Sequence, residues 1–558
     1  MIQAVHDLLE QHFDTAFAAP GGIAKLRELI LTLAMQGKLV EQDPNDPPAS
    51  ELLKEIEAEK QRLISEKKIK KQKPLPPIKP EEVPYQLPQG WAWVRLDELG
   101  VSQTGTTPPS KNPENYGDHI PFIGPGSIKN GNIDYSGQGL SLDGLSKGRL
   151  IEKDSVLMVC IGGSIGKHAI NQMDVTCNQQ INTLTPFKPL SVKYTYFTME
   201  ADYFQRTVLN KAGGSATPII NKQKWSSIPI PLPPLPEQHR IVRRIDQLMV
   251  RCDELEKLRK DREEKRLQVH AAAINQLLNA PENSGWPFIQ QHFGELYTVK
   301  ENVAELRKAI LQLAVMGRLV PQDPNDPPAS ELLKEIEVEK QRLIEEKKIK
   351  KQKPWQPINP EEVPYMLPQG WEWVRVEDVF NTTSGTTFDA ALEKDAGSYA
   401  YVKVGDMNLQ GNELFIETSS RYIDPDEKML RSLISTGSVI FPKRGGAIAT
   451  NKKRIITDPV FVDLNIMAIT PIFGLLTEYA YLWLSTIDLA LLNTGTSVPQ
   501  INHKDIDPLL FPLPALEEQH RIVARIDQLM ALCNNLDEQI EAATNKQKAL
   551  LNAVMAQV

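Results

Sequence analysis

The chain has 558 residues, a formal net charge of −8, 41% hydrophobic residues and 24% charged residues. This is the composition of an ordinary soluble protein that is long enough for several domains. The acidic balance argues weakly against binding to nucleic acid. Lys and Arg are nevertheless concentrated locally, as at Lys443-Arg444 and Lys452-Lys453-Arg454, which is compatible with DNA held against local basic surfaces.

The cysteines predict neither a zinc site nor a disulfide framework. Cys160 and Cys177 have no CxxC or Cys/His neighbour, and the other two lie in apolar helix stripes. The most apolar stretch, 475–492, is interrupted by two acidic residues, which favours a buried helix over a membrane span. Because no secretory signal is visible at the start of the sequence, we expect a cytoplasmic location and no membrane association.

The chain contains an internal repeat. Residues 21–100 match residues 301–380 without a gap, and the stretch from Gln42 to Glu57 recurs unchanged from Gln322 to Glu337. Each copy predicts a helix, a turn, a second helix and a proline-rich strap. The chain is therefore organised as segment, domain and helix, twice over.

Within the first copy, the helix limits can be predicted from local signals. An apolar stripe stops at Gly37, a suitable C′ glycine, and Ser50 is expected to cap a second helix that runs to about Lys71. The strap ends in Leu-Pro-Gln-Gly-Trp-x-Trp, which begins at Leu87 and again at Leu367.

Two divergent stretches of about 145 residues, a normal domain size, follow the repeated segments. They are predicted to be β-rich, because short apolar runs at 156–161 and 438–441 stand next to glycine-rich turns. Each is expected to carry one helical stretch, around 194–209 in the first and 479–492 in the second.

A long helix is predicted after each domain. Apolar residues recur there at alternating steps of four and three, the spacing of a coiled-coil seam, so each helix needs a partner. The predicted seam residues are Ile241, Ile245, Leu248, Cys252 and Leu255 in the first helix, and Ile522, Ile526, Leu529, Cys533, Leu536 and Ile540 in the second.

Three repeated sequences carry a resemblance to a known family. They are Pro-Leu-Pro-Pro-Leu-Pro-Glu-Gln-His-Arg-Ile-Val from Pro231 with its variant copy from Pro512, the Leu-Pro-x-Gly-Trp-x-Trp sequence, and Leu-Arg-x-x-Ile-Leu at Leu26 and Leu306. Together they resemble the specificity subunits of Type I restriction–modification systems. In that family, two target recognition domains each read one half of a split DNA sequence. The helices between them dock two methyltransferase subunits, and restriction-translocation subunits then join.

The resemblance implies a non-enzymatic subunit without a cofactor, whose partners are double-stranded DNA, two methyltransferase subunits and the restriction-translocation subunits. The expected fold is α+β, with two β-rich target recognition domains separated by a pair of long antiparallel coiled-coil helices and an internal pseudo-twofold repeat. The expected boundaries are 1–90 for the first segment, 91–235 for the first domain, 236–280 for the first helix, 281–370 for the central segment, 371–515 for the second domain and 516–558 for the second helix.

No catalytic or metal site is predicted. Asp46-Pro47-Pro48-Ala49 is similar to the Asn/Asp-Pro-Pro-aromatic element of amino-methyltransferases, but Ala49 cannot stack on a flipped base. Phe122–Gly126 is similar to a glycine loop for a methyl donor, yet the second domain lacks a counterpart. Two alternatives stay open: a self-contained DNA methyltransferase, disfavoured by these gaps, and a coiled-coil adaptor that binds two proteins without DNA, disfavoured by the two unlike domains.

Polar loops in the two domains are the candidate DNA-reading surfaces, because amides can read adenine and Arg or Lys can read guanine. The cation clusters of the second domain are the strongest candidates for phosphate contacts. In the first domain the candidates are Thr106, Thr107, Ser110, Lys111, Lys129, Asn130, Asn132, Lys167, Asn178, Gln179, Gln180, Asn221 and Lys222. In the second they are Thr386, Thr387, Lys403, Asn408, Gln410, Lys443, Arg444, Asn451, Lys452, Lys453 and Arg454.

Overall fold

The computed structural model describes residues 15, 17–71, 75–214, 217–279, 285–349, 356–492 and 498–556. The chain forms two compact units, Met1–Arg262 with Ala543–Val558, and Glu263–Ala542. Each unit contains one copy of the repeated segment, one domain and parts of both long helices. The predicted boundary at 280/281 lies outside the described residues.

Each repeated segment contains the two predicted helices. They are Gly22–Met35 and Ala49–Ser65 in the first copy, and Lys300–Val315 and Ala329–Glu345 in the second. The first helix of the first copy ends at a left-handed glycine, Gly37, with φ of 69°. The amide of Lys38 donates to the Leu33 carbonyl at 2.8 Å, which is the Schellman arrangement. The prediction of Gly37 as the C′ glycine is confirmed.

The second segment helix differs from the prediction at both ends. Its N-cap is Pro48 instead of Ser50, and the amide of Ala49 donates to the Gly90 carbonyl at 2.8 Å. It ends at Ser65 instead of about Lys71, because Lys67 has a left-handed backbone with φ of 57° that a helix cannot continue through. The capping bond therefore comes from the strap end and fixes where the domain begins.

Each domain begins and ends at a two-stranded antiparallel ladder, which we call the gate. In the first domain Ala92–Arg95 pairs with Pro229–Leu232. In the second domain Glu372–Arg375 pairs with Leu510–Leu513, and the first residue of one strand faces the last residue of the other in both gates. A domain whose two ends are hydrogen-bonded to each other is an insertion into the scaffold, as the repeated flanking sequences predict.

The first domain is built on a four-stranded sheet in the order 100–104, 181–186, 156–159, 168–170. The predicted strand at 156–161 is present as Val156–Val159, and it is fully buried. Two helices replace the single predicted one. The strands are Gly100–Thr104, Tyr116–Gly117, Phe122–Ile123, Ile128–Lys129, Asn132–Ile133, Gly139–Leu140, Val156–Val159, His168–Ile170, Thr176–Cys177 and Ile181–Pro186, and the helices are Leu142–Lys147, Val192–Glu200, Asp202–Lys211 and Lys222–Ser226.

The second domain has a five-stranded sheet in the order 380–384, 466–471, 439–442, 454–456, 415–416 and a smaller three-stranded sheet. The predicted strand at 438–441 is present as Val439–Pro442. Its strands are Phe380–Ser384, Tyr399–Val402, Phe415–Ile416, Tyr422–Ile423, Val439–Pro442, Arg454–Ile456, Phe461–Val462 and Ile466–Pro471, and its helices are Val376–Val379, Thr477–Thr486 and His503–Ile506. Two short helices, Gly285–Gln291 and Phe293–Leu296, lie in the central segment before its first repeated helix.

The two long helices are Leu235–Asn279 and Leu516–Ala556. In the first unit the start of the first long helix shares a core with Leu551 and Val554 at the end of the second, and with the first segment helix. In the second unit Ala273 and Leu277, near the end of the first long helix, share a core with the start of the second. In each unit the helices therefore run in opposite directions, and the repeated segment supplies a further partner that the sequence pattern did not predict.

Most of the predicted seam residues are buried or half-buried. Ile241, Ile245 and Cys252 are buried and Leu248 is half-buried, but Leu255 is 42% exposed and lies outside the packed stripe, contrary to the prediction. In the second helix the first four predicted residues are buried and the last two half-buried, namely Ile522, Ile526, Leu529, Cys533, Leu536 and Ile540. The fold is α+β, with two β-rich domains, two long helices and a repeated scaffold.

Candidate nucleic-acid interface

The repeated Glu-Gln-His-Arg sequence at the start of each long helix holds the domain gate. Glu237 accepts hydrogen bonds from Trp91 Nε1 at 2.9 Å and from Gln42 Nε2 at 3.1 Å. Glu518 accepts the same pair of bonds, from Trp371 at 2.8 Å and from Gln322 at 3.0 Å. Burial raises the pKa of Glu237, although the two donors and Arg240 oppose the shift. Each carboxylate thus ties together the gate, the segment and the helix.

The neighbouring Gln and Arg have structural partners as well. Gln519 Oε1 accepts from the amide of Leu476 at 2.9 Å, which fixes the main helix of the second domain. Arg240 pairs with Asp46 at 2.6 Å, so the Asp-Pro-Pro sequence is a docking turn. Arg521 repeats this with Asp326 at 2.5 Å. His239 and His520, between these residues, are exposed.

A set of backbone hydrogen bonds brings four stretches of the first domain together. The amide of Gly105 donates to Ile181 O at 3.0 Å, and Thr106 donates to Cys177 O at 2.8 Å. The amide of Cys160 donates to Gln180 O at 2.7 Å, and Gly162 donates to Pro218 O at 2.9 Å. We call the residues 104–107, 160–164, 177–180 and 218–220 the first loop cluster.

The second domain repeats this construction bond for bond. The amides of Gly385 and Thr386 donate to Ile466 O at 3.0 Å and Val462 O at 2.9 Å. The amides of Lys443 and Gly445 donate to Asn465 O at 2.7 Å and Pro499 O at 2.8 Å. We call the residues 384–387, 443–447, 462–465 and 499–501 the second loop cluster.

A close backbone approach at one glycine locks each cluster. A Cβ on Gly105 would stand 2.1 Å from the Asn178 carbonyl oxygen, and a Cβ on Gly385 would stand 1.9 Å from that of Asp463. No side chain fits at either position, because Cβ atoms do not approach backbone oxygens so closely. The same glycine therefore serves the same purpose in both domains.

The side chains on the two clusters differ in kind. Asn178, Gln179 and Gln180 of the first cluster stand where the second has Asp463, Leu464 and Asn465. Cys160 and Ile161 stand where the second has Lys443 and Arg444. Equal backbones with unlike side chains are what two reading surfaces for different sequences require.

In the first domain the structure brings five of the predicted residues together, and it disperses the others. The five share the first loop cluster: Thr106, Thr107, Asn178, Gln179 and Gln180. The Asn178 side chain donates to Gln180 Oε1 at 3.0 Å and accepts from the backbone amide of Gln180. Thr107 Oγ1 donates to Gln179 Oε1. These amides are therefore held in fixed orientations.

The remaining first-domain candidates lie apart from that group. Asn221 caps a short helix by accepting from Lys224 N at 2.8 Å, and Lys222 donates to Ser102 Oγ at 3.3 Å. Lys129 pairs with Asp134 at 3.1 Å at the end of a hairpin. Asn130 lies in the turn of that hairpin and Asn132 begins its second strand, whereas Ser110, Lys111 and Lys167 are exposed on other loops.

A directional hydrogen-bond chain crosses the second loop cluster. Lys443 Nζ donates to Ser384 Oγ at 2.8 Å, and Ser384 Oγ lies 3.1 Å from His503 Nε2. His503 Nδ1 lies 3.0 Å from Thr382 Oγ1, which donates to Asp507 Oδ1 at 2.7 Å. Because Thr382 donates to Asp507, it accepts from Nδ1–H. Ser384 Oγ, which accepts from Lys443, has its own hydroxyl proton for the contact with His503 Nε2. Burial lowers the pKa of Lys443 and raises that of Asp507.

Most predicted cations of the second domain have partners inside the protein. Lys453 is 4% exposed, and its ammonium donates to Asn451 Oδ1 at 2.7 Å and Ile487 O at 2.8 Å. Arg454 donates to Lys453 O and Met407 O. Burial lowers the pKa of both residues. The expectation that these two cations face phosphate does not fit their positions.

The other predicted residues of this domain are exposed or half-buried. Lys403 pairs with Glu393 at 2.6 Å, and Lys452 donates to Asn408 Oδ1. Thr386 and Thr387 are exposed in the second loop cluster, and Gln410 is exposed nearby in sequence to Asn408. Arg444 is exposed, and its side chain has no hydrogen-bond or ion-pair partner among the residues that the structure describes.

Sequence reasoning missed Ser384, His503 and Asp507. His503 and Asp507 are four residues apart at one short helix, and only the fold brings Ser384 to them. Among the described residues, no three His, Cys, Asp or Glu side chains are grouped as a metal site requires, and no helix is both long and apolar enough to cross a membrane.

Comparison with known proteins identifies the family of this chain. Residues 88–264 and 368–545 match the family described as the Type I restriction modification DNA specificity domain. The EcoAI specificity subunit of a Type I restriction enzyme from Escherichia coli is 33% identical to this chain, over 96% of this chain and 93% of that protein. The EcoEI specificity subunit from Escherichia coli is 30% identical, with the same shares covered. The crystal structure of the HsdS subunit from Thermoanaerobacter tengcongensis is 19% identical, covers 85% of this chain and 98% of that one, and gives a TM-score of 0.45. The chain belongs to the family of Type I restriction–modification specificity subunits.

Proposed function

We propose that this chain gives a Type I restriction–modification complex its DNA sequence specificity, and that each domain reads one half of a split site. One observation carries the proposal: the two loop clusters share the same backbone hydrogen bonds but carry different side chains. A common backbone presents side chains at equivalent positions, and unlike side chains select unlike bases. The names of the related proteins support the same role.

The proposal includes the partners and the absence of chemistry in this chain. Two methyltransferase subunits dock on the repeated scaffold, one per copy, since equal surfaces bind equal partners. The restriction-translocation subunits join that assembly. Methyl transfer and cleavage belong to these partners, and this chain supplies recognition in the cytoplasm.

The long helices set the spacing between the half-sites. The first contains 45 residues, which at about 1.5 Å per residue is roughly 68 Å. Half-sites read from one face of DNA stand about 34 Å apart, or about 10 base pairs, so a helix of this length can span them.

Selection from DNA with randomised sequence tests the proposal. The chain is purified alone and with co-expressed methyltransferase subunits. Each sample binds the DNA at two salt concentrations, and the bound DNA is then sequenced. We expect two conserved half-sites at fixed spacing from the complex. Methyl transfer by the chain alone would favour the methyltransferase alternative. Absence of any sequence preference in the complex would favour the adaptor alternative.

A further inference from the structure

We propose that Arg444 reads a guanine in the half-site of the second domain. This inference rests on the proposed function, and it assigns one base-reading residue within it. Arg is suited to this task because its guanidinium donates two parallel hydrogen bonds to O6 and N7 of guanine in the major groove.

Of the two cations in the second loop cluster, Lys443 has a hydrogen-bond partner and Arg444 has none among the described residues. Lys443, its neighbour, donates to Ser384 and is the first donor of the chain that ends at Asp507. The buried Lys453 is bonded internally. A phosphate-binding surface would present several free cations. Among the described residues of the second loop cluster, the guanidinium of Arg444 alone is exposed and unpaired.

The backbone at Arg444 is held in place. It forms an antiparallel bridge with Gln500, and the next amide, that of Gly445, donates to Pro499 O at 2.8 Å. Gly445 has φ of 72°, and a Cβ on either Gly445 or Gly446 would meet nothing within 4 Å. The two residues after Arg444 therefore carry no side chain, and the space at their Cβ positions is open, so they do not obstruct an approach to Arg444.

The first domain supplies the comparison that separates base reading from phosphate binding. Ile161 occupies the position of Arg444, and it forms the equivalent bridge with Ile219. Gly162 then follows with φ of 93° and the equivalent bond to Pro218. Phosphates are the same in every half-site, so a phosphate contact on this shared backbone calls for a cation in both domains. An Arg in one domain and an Ile in the other indicate a contact that depends on the base. An apolar side chain there suits the methyl group of thymine.

The test uses the full chain in complex with co-expressed methyltransferase subunits. Arg444→Gln removes the charge and replaces the guanidinium with an amide, which pairs with adenine. Lys428→Gln is the matched control, because Lys428 is an exposed cation of the same domain outside the loop cluster. For each protein, sites are selected from randomised DNA, and affinity is measured on the selected site over a salt series.

We expect Arg444→Gln to weaken binding to the natural site by roughly 5- to 150-fold, the usual range for one bidentate base contact. Its selected sites should lose guanine, in favour of adenine, at one position of the second half-site. The first half-site should be unchanged, which also shows that the variant complex is folded. Lys428→Gln should select the natural site.

Two results would overturn the inference. An even loss of affinity across sequences, with the salt slope reduced by about one, would make Arg444 a phosphate contact. An unchanged selected site with unchanged affinity would mean that it does not touch DNA. If the wild-type complex selected no split site, the proposed function itself would fail instead.

Discussion

Gly385→Ala should strongly weaken reading by the second domain while the first domain keeps reading. The new Cβ would stand 1.9 Å from the Asp463 carbonyl oxygen, whereas an ordinary contact is about 3.4 Å. The two loops must therefore move apart by roughly 1.5 Å. That movement breaks the bonds from Gly385 to Ile466 O and from Thr386 to Val462 O.

The expected cost follows from these contacts. Forcing an extra carbon into a packed site costs about 1–3 kcal/mol, and each lost backbone bond about 0.5–1.5 kcal/mol, so the cluster should be destabilised by about 2–6 kcal/mol. The effect is local, because the sheet below the loops is unchanged. Affinity for the second half-site should fall by at least 30-fold, since a loss of about 2 kcal/mol corresponds to that factor.

The assay is site selection by the complex, with hydrogen exchange followed by mass spectrometry on the same proteins. Gly105→Ala should show the mirror-image result, because its Cβ would stand 2.1 Å from Asn178 O. Gly405→Ala is the control, since a Cβ there meets nothing within 4 Å. The reasoning is refuted if Gly385→Ala behaves like Gly405→Ala, or if it alters selection of the first half-site.

Three further predictions concern stability and spacing. Trp371→Phe leaves a buried oxygen of Glu518 without its donor, so it should lower the free energy of unfolding, measured by urea titration, by about 1–3 kcal/mol. Trp373→Phe is the control and should cost less, because it loses only a 3.3 Å bond. Equal losses would contradict the role given to the bond between Trp371 and Glu518. Burial lowers the pKa of Lys453 to about 8 from its ordinary 10.5, so the unfolded chain holds this proton more tightly and wild-type stability should rise between those pH values. Lys453→Met should lose that rise, and a parallel pH profile would contradict it. One heptad inserted into both long helices adds about 10 Å to each, and selected sites should then have a longer spacer with unchanged half-sites; an unchanged spacer would mean that the helices do not set it.

The repeat and the central strands could be predicted because their signals are local. The repeated sequences on both sides of each domain indicated that the domain is an insertion. Short apolar runs such as Val156–Val159 predicted buried strands. Gly37 was predictable as a helix end for the same reason. The exposure of Leu255 was not predictable, because this residue keeps the apolar spacing of the stripe although its side chain is 42% exposed.

The reading surface could be predicted only in part. The amides at 178–180 follow a short strand and were found as a polar loop. Lys453 looked like a member of a solvated cation cluster, because its acceptor at Ile487 is far away in the sequence. Likewise, the chain from Lys443 to Asp507 depends on strand order, which single residues such as His503 do not reveal.

Replacing the second domain with a copy of the first tests modular reading most directly. Trp371–Ala515 is exchanged for Trp91–Leu235, which is feasible because the two gates have the same antiparallel register. Sites are then selected from randomised DNA by the complex of this variant with methyltransferase subunits. If each domain reads one half-site, the selected DNA should contain two copies of the first half-site and none of the second. A selected site that kept the original second half-site, or that lost the first one, would contradict the account.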